Sequence, residues 1–207
     1  MLAPMMRTYT DLQSHYLRVL LAAIAIALLQ SLVSPSLLAQ GGVATGPHFR
    51  LVDQHNRIID DRQLVGKPTV IHFGFTHCPV ICPTSLFELT EYMRELGPLA
   101  DEIQFVFVTV DPERDTPELL RSYLESFDTR LVGLSGSTRE IEALANGLGA
   151  SFSRQTLENG SYTYDHTVFG YLMDADWRKQ GVLFMGTGGG RERVINALKH
   201  LIARGPG

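Results

Sequence analysis

The 207-residue chain has little cysteine and no excess of basic charge. Its only two cysteines are Cys78 and Cys82, which excludes the disulfide framework that stabilises many small secreted proteins. A single domain of this length buries about two thirds of the surface of its unfolded chain and folds without cross-links. The net charge of -4 argues against nucleic acid as a partner. The two cysteines are therefore better explained by chemistry than by structure.

The first 40 residues differ in kind from the rest. An unbroken apolar run, VLLAAIAIALL, extends from Val19 to Leu29. A spanning helix needs about 20 apolar residues, so this run is typical of a signal peptide with a cleavage site near Ala39. Extended to Leu38, the segment is long enough to span, and a retained N-terminal membrane anchor is an equal alternative. Both alternatives predict that residues 41–207 form a domain that works outside the cytoplasm.

The first half of that domain predicts a β-hairpin followed by a β-α-β unit. Loose alternation around His55-Asn56 predicts the N-terminal hairpin. Apolar runs at 69–75 and 104–110 predict parallel strands covered on both faces, joined by a helix that ends at Gly97-Pro98. The segment Asp115-Thr-Pro-Glu118 then predicts a helix as far as about Phe127.

The second half predicts the remaining parts of an α/β fold. A short strand is expected at 130–134, and Ser137-x-x-Glu140 is a capping box that begins the next helix. Residues 162–173 and 182–185 have strand composition and predict an antiparallel pair at the end of the sheet. A last helix places apolar residues from Val194 to Ile202 on one face. This order predicts a thioredoxin-like mixed sheet flanked by helices on both faces.

The cysteines follow the first apolar strand in the segment GFTHCPVICP, residues 74–83. Pro83 suits the first position of a helix, which predicts Cys82 as the N-cap residue and both thiols as exposed. The helix dipole, and His77 if protonated, favour thiolate over thiol. Both sulfurs are therefore expected to be nucleophilic or to bind a soft metal, and a disulfide between them is also within reach.

A metal site that must release its ion calls for a third ligand besides the two sulfurs. His166 is the best candidate, because the end of its late strand would face the cysteine loop in a thioredoxin-like sheet. Asp165 beside it is a candidate to orient the imidazole. His72, inside the first apolar strand, is expected to be a core residue. Two thiolates and an imidazole suit copper, and zinc fits the same ligands with a water; spacing leaves both open.

Three motifs together resemble the Sco (SenC-type) family of copper-binding assembly proteins for cytochrome c oxidase. They are GFTHCPVICPTSL, VTVDPERDTPE and YDHTVFGYLMD, and the resemblance covers the chain from about Phe49 to the last helix. It implies an exported or anchored thioredoxin-like domain on the periplasmic side of the inner membrane. It further implies that one copper, Cu(I) or Cu(II), is bound by Cys78, Cys82 and His166. Asp111 would support the site without being a ligand.

The resemblance implies a metallochaperone rather than an enzyme, which delivers copper to the dinuclear copper centre of cytochrome c oxidase. Its partner would be the copper-bearing subunit of the oxidase, with another copper chaperone or a thioredoxin-like reductant as further candidates. The alternative is a thiol–disulfide oxidoreductase that keeps the cysteines of that centre reduced. General oxidoreductases of this fold have a cis-proline facing their cysteines, and no proline occurs here between Pro117 and Pro206. Val80 stands where the family often has an acidic residue.

Overall fold

The computed structural model describes residues 46–185 and 190–205. The predicted signal peptide or membrane anchor at residues 1–40 lies outside this part of the chain. Within the two described ranges, no helix is long and apolar enough to cross a membrane.

The described chain alternates strands and helices. The strands are β1 (Arg50–Asp53), β2 (Ile58–Asp60), β3 (Thr69–Gly74), β4 (Gln104–Thr109), β5 (Leu131–Ser135), β6 (Phe152–Thr156), β7 (Tyr162–His166), β8 (Phe169–Met173) and β9 (Lys179–Phe184). The α-helices are α1 (Asp61–Leu64), α2 (Ile81–Leu96), α3 (Pro117–Leu124), α4 (Thr138–Leu148) and α5 (Arg191–Ala203). A 3-10 helix, Gly97–Glu102, follows α2.

Seven of the strands form one mixed sheet in the order β2-β1-β5-β4-β3-β8-β9. The central strands β3, β4 and β5 are parallel. The hairpin β1–β2 pairs antiparallel at one edge, and β8 and β9 pair antiparallel at the other. The predicted N-terminal hairpin, the parallel centre and the antiparallel pair at the end of the sheet are all confirmed.

The central strands are buried on both faces, as their apolar runs predicted. Ile71 and Val106 pack in a core with residues of α4. Val70 and Phe105 pack in a second core with residues of α2, α3 and α5. Burial of each such side chain contributes about 1.5–3 kcal/mol. The two cores hold the carboxyl ends of β3 and β4 firmly in place.

Two helices begin at their predicted signals. In the capping box of α4, Ser137 Oγ accepts a hydrogen bond from Glu140 N at 3.3 Å, and Ser137 N donates to the Glu140 carboxylate at 3.2 Å. Helix α3 begins with Thr116 as its N-cap residue and Pro117 at the first position. It ends at Leu124 rather than at the predicted Phe127, because residues 125–127 form turns instead of continuing the helix.

The segment 162–173 forms two strands, where the sequence predicted one. Strand β8 pairs with β3, whereas β7 leaves the main sheet and pairs with β6 in a separate two-stranded sheet. Thr167 lies at the bend, where its N–H donates to Ser151 O at 3.0 Å and its Oγ1 accepts from Ser151 N at 3.1 Å. His166 therefore ends the short strand β7 instead of lying near the start of a long one.

The turn between β8 and β9 contains the only tryptophan of the chain. Trp177 has a positive φ of 61° and is 2% exposed. Its indole Nε1 donates to Pro47 O at 3.0 Å, and its ring contacts Phe49 with centroids 5.7 Å apart. The side chain thus fastens the beginning of the domain to the far edge of the sheet. Strand β9 starts at Lys179, three residues earlier than predicted.

Candidate metal centre

Three candidate ligand atoms meet where β3 ends, α2 begins and β7 ends. Cys78 lies in the loop between β3 and α2, Cys82 is the second residue of α2, and His166 is the last of β7. One ligand atom from each lies within 4.8 Å of the other two. Cys82 Sγ lies 3.4 Å from His166 Nε2, across 84 residues of sequence. The fold brings together the three residues that the sequence singled out.

The start of α2 differs from the prediction. The N-cap residue is Val80, not Cys82, and it makes no side-chain capping hydrogen bond. The sulfur of Cys78 instead accepts a hydrogen bond from Cys82 N at 3.4 Å. The three residues between the cysteines let the loop fold back over the helix start, so that Cys78 satisfies one of the free N–H groups there.

Both thiols are buried, contrary to the predicted exposure. Cys82 is 0% exposed and Cys78 is 8% exposed. Gly74 makes the room for Cys82, since a Cβ there would lie 3.0 Å from Cys82 Sγ and 2.7 Å from a ring carbon of Phe107. The missing side chain at the end of β3 lets a sulfur pack directly against the strand. Sequence reasoning missed this role, although a glycine that ends a fully apolar strand is a signal for such a close approach.

The two sulfurs share their protons unequally. Both cysteines are free. A hydrogen bond from the Cys82 thiol strongly lowers the pKa of Cys78, and backbone N–H groups lower it further. The Cys78 sulfur and burial raise the pKa of Cys82. The sequence predicted that both sulfurs are nucleophilic or bind a soft metal; without metal, the directions of the two pKa shifts favour the thiolate on Cys78 and the thiol on Cys82.

The imidazole of His166 is oriented by the backbone. Its Nδ1 lies 3.1 Å from Thr167 O, and because a carbonyl only accepts, Nδ1 carries the proton and Nε2 presents its lone pair to the sulfurs. Phe75 packs against the ring with centroids 5.8 Å apart. Asp165, proposed from the sequence for the orienting role, is exposed. The carbonyl of Thr167 makes the contact that Asp165 was expected to make.

A second histidine lies behind the site. His72 is 1% exposed, which confirms its predicted place in the core. Burial lowers the pKa of His72 to about 4, so its ring is neutral at physiological pH. Its Nδ1 lies 3.4 Å from Phe169 O, and its Nε2 has no hydrogen-bond partner among the described residues. Its ring centroid is 6.5 Å from that of His166.

The other two predicted supporting residues face a polar cluster beside the thiols. The Nδ1 of His77 lies 3.0 Å from Thr76 Oγ1 and 3.6 Å from Asp115 Oδ1. Asp111 is fully buried after β4, where it forms an ion pair with Arg114. Although His77 and the two carboxylates lie within 4.8 Å of one another, these acidic groups are engaged by protein donors.

A groove of about 330 Å³ opens beside the three ligands. Cys78 and His166 contribute to its lining, and Cys82 does not. The rest of the lining is mostly apolar and consists of Phe75, Pro79, Val80, Ile81, Thr163, Tyr164, Asp165 and Val168. Val80 is 67% exposed at the rim. Another molecule can thus approach the ligand atoms from the side of Cys78 and His166.

A comparison with protein families decides what kind of chain this is. The SCO1/SenC family model matches residues 39–203. The chain belongs to the SCO1/SenC family. It is 37% identical to the SCO2-like protein of Rickettsia felis over 139 residues, which are 66% of this chain and 68% of that protein. It is also 37% identical to the mitochondrial protein SCO2 of Saccharomyces cerevisiae over 141 residues, 67% of this chain and 47% of that protein.

Solved members of the SCO1/SenC family share the fold. Bradyrhizobium japonicum ScoI, solved with copper bound, matches with a TM-score of 0.70 and 42% identity, over 76% of this chain and 99% of that one. Yeast Sco1, also solved with copper bound, matches with a TM-score of 0.68 and 30% identity, over 75% of this chain and 87% of that one. The predicted thioredoxin-like architecture is confirmed.

Proposed function

We propose that this SCO1/SenC protein is an extracytoplasmic copper chaperone. It holds one copper ion between the sulfurs of Cys78 and Cys82 and Nε2 of His166, and passes it to the dinuclear copper centre of cytochrome c oxidase. The observation that carries the proposal is the convergence of these three atoms within 4.8 Å. The two solved relatives with copper bound support it.

The arrangement of the ligand atoms fits a small, soft ion. Bonds of about 2.0–2.3 Å to nitrogen and sulfur in a trigonal arrangement separate neighbouring ligand atoms by roughly 3.5–4 Å. The observed contact of 3.4 Å between Cys82 Sγ and His166 Nε2 is close to this range, so binding needs only small side-chain shifts. Two thiolates and one imidazole are the donor set that Cu(I) prefers. Binding to both sulfurs displaces the proton that Cys82 carries without metal.

Release takes place by ligand exchange through the groove. Cysteine and histidine ligands of the copper-bearing oxidase subunit reach the ion from the open side, where Cys78 and His166 lie. Because Cys82 is fully buried, its sulfur is the last ligand to be released from the ion. An oxidised Cys78–Cys82 pair offers no thiolate, so the redox state of the two cysteines gates loading. Export or anchoring through residues 1–40 places the domain on the periplasmic side, beside the oxidase.

An anaerobic titration of the reduced protein with Cu(I) tests the proposal. One tightly bound copper per chain is expected, abolished in Cys78→Ser/Cys82→Ser and much weakened in His166→Ala. His200→Ala is the matched control, since His200 is exposed on α5 and should bind copper as the unaltered chain does. Transfer to the copper-bearing oxidase subunit is then followed directly. Weak copper binding that His166→Ala leaves unchanged would contradict the chaperone proposal.

The hydrogen-bonded thiol pair also favours a second candidate, a thiol–disulfide reductase for the cysteines of the same oxidase centre. A low-pKa sulfur that faces a groove, with a second thiol behind it, is the arrangement such reductases use. His166 separates the two candidates. A reductase needs only the cysteines, so its rate should survive His166→Ala, whereas copper delivery should not.

A further inference from the structure

The side chain of Tyr162, at the start of β7, is held between two arginines. The guanidinium carbon of Arg114 lies 3.8 Å from the centroid of its ring, and that of Arg154 lies 3.5 Å from it. Two guanidinium groups this close to one centroid cannot share a face, so the ring lies between them. Both contacts are favourable cation–π interactions. Tyr162 lies four residues before His166 on the same strand, and alternation puts both on one face.

The same ring is tied to the loop that follows β4. The hydroxyl of Tyr162 donates to Asp111 Oδ1 at 3.1 Å. Burial, together with the Asp111 carboxylate, raises the pKa of Tyr162, which keeps the donor protonated. Arg114 forms an ion pair with Asp111 and donates to Tyr162 O at 3.2 Å. Arg154, on β6, pairs with Glu113 at 3.1 Å. We call these five residues, Asp111, Glu113, Arg114, Arg154 and Tyr162, the Tyr162 clamp.

The clamp connects β7 to the core of the domain, which the pairing of β7 with β6 does not do. In the described part of the chain, β6 and β7 pair only with each other. No ladder hydrogen bonds therefore join β7 itself to the main sheet, although β8, which begins three residues after His166, pairs with β3. Asp111 follows β4, which is paired in parallel with β3, and β3 leads into the cysteine loop. The clamp thus ties the strand of His166 to the same rigid core that carries Cys78 and Cys82.

A line of aromatic contacts links the clamp to the site. Arg114 lies 5.9 Å from the ring centroid of Phe75. The ring of Phe75 contacts those of Tyr164 and His166, with centroids 5.7 and 5.8 Å apart. Tyr164 in turn packs against Tyr162 at 5.9 Å. A shift of the clamp is therefore passed directly to the imidazole.

We propose that the Tyr162 clamp positions His166 for metal binding, and that Tyr162, Arg114 and Arg154 are positioning residues of this centre. The inference rests on the proposed copper site. It also explains how Asp111 supports the site: Asp111 holds in place the strand that carries His166. Without the clamp, β7 is free to tilt, and the two cysteines bind copper with less help from the imidazole.

A double-mutant comparison with copper alone as the probe tests this. Cu(I) affinity is measured for Tyr162→Ala and Arg154→Ala, each with His166 intact and in the His166→Ala background. With His166 intact, we expect binding to weaken about 10- to 100-fold, as for other residues that orient a metal ligand. In the His166→Ala background we expect no further loss. In the same variants, the signal of the imidazole nitrogen in the electron paramagnetic resonance spectrum of the Cu(II) form should weaken as the affinity falls.

Controls separate positioning from folding. Tyr162→Phe keeps the ring between the two arginines and loses only the hydrogen bond to Asp111, so it should weaken copper binding less than Tyr162→Ala does. Arg130→Ala removes an arginine paired with carboxylates elsewhere and should change nothing at the site. Thermal unfolding shows which variants are folded. If Tyr162→Ala is not, Arg154→Ala decides, since the Arg154 side chain is 47% exposed.

Two results would overturn the inference in different ways. Equal weakening of copper binding in both backgrounds, or an intact nitrogen signature in folded Tyr162→Ala and Arg154→Ala, would refute positioning while leaving the three-ligand site in place. Copper binding that is indifferent to His166→Ala itself would remove the proposed ligand set, and the inference with it.

Discussion

Replacing Gly74 by alanine should damage stability and the metal site together. The new Cβ would lie 2.7 Å and 3.0 Å from two ring carbons of Phe107, and 3.0 Å from Cys82 Sγ. Carbon atoms pack best at about 3.5–4.0 Å, so the Phe107 ring must retreat by about 1 Å. Both neighbours are 0% exposed, so neither can move out into solvent. Overpacking of this kind costs about 1–3 kcal/mol.

That cost should lower the melting temperature of Gly74→Ala by about 2–12 °C, at about 2–4 °C per kcal/mol for a domain of this size. Copper affinity should also fall, because a site of this kind tolerates displacements of only about 0.5 Å. Thermal unfolding and Cu(I) competition measure the two effects. Gly181→Ala is the matched control: it lies in a strand of the same sheet, and a Cβ there meets nothing within 4 Å.

A second substitution checks the physical cause. Gly74→Ala/Phe107→Leu removes the ring that the new methyl group meets, so part of the clash is relieved. The double variant should lose less stability than the sum of the two single changes. If Gly74→Ala is as stable as Gly181→Ala and binds copper unchanged, then Cys82 is not held against the backbone of β3, and the explanation of its burial is wrong.

Three further predictions concern single residues around the domain. Ser137→Ala removes the cap of α4 and should cost about 0.5–2 kcal/mol with copper affinity unchanged; urea unfolding and a copper titration check it, and an equally stable variant would contradict it. Trp177→Phe loses the hydrogen bond to Pro47 and should cost about 0.5–1.5 kcal/mol, measured by circular dichroism because the only indole is gone. Val80→Glu adds a charge at the groove and should strengthen Cu(II) binding by less than about tenfold, most at low salt; no salt dependence would refute the electrostatic cause.

The sequence was sufficient wherever a local signal and the tertiary environment agreed. The apolar runs of β3 and β4 predicted strands covered on both faces, because no other position buries such a run completely. Ser137 and Glu140 predicted the start of α4, because a capping box satisfies backbone groups that any helix leaves free. The hairpin at His55-Asn56 formed with Asn56 in the left-handed conformation, which asparagine tolerates well.

The errors arose where contacts distant in sequence decide the structure. Strand β6 is polar and largely exposed, so it gave no apolar pattern, and only its pairing with β7 makes it a strand. The bend at Thr167 interrupts a segment that has strand composition throughout. The prediction that Cys82 is exposed was wrong because the space beside Gly74 depends on Phe107, which lies on a neighbouring strand.

The candidate site shows the same division. Cys78, Cys82 and His166 were singled out from their residue types and motifs, and the fold brings them together. Nothing local pointed to Tyr162, whose two arginine partners come from other segments of the chain. The backbone carbonyl that orients His166 was also invisible in the sequence, since every residue carries one.

X-ray absorption of the Cu(I)-loaded protein tests the central claim most directly, because it counts the ligands of the ion. The account predicts two sulfur ligands and one imidazole nitrogen, with the nitrogen lost in His166→Ala and retained in the control His200→Ala. A spectrum with sulfur alone, or a nitrogen signal that persists in His166→Ala, would contradict the three-ligand centre formed by Cys78, Cys82 and His166.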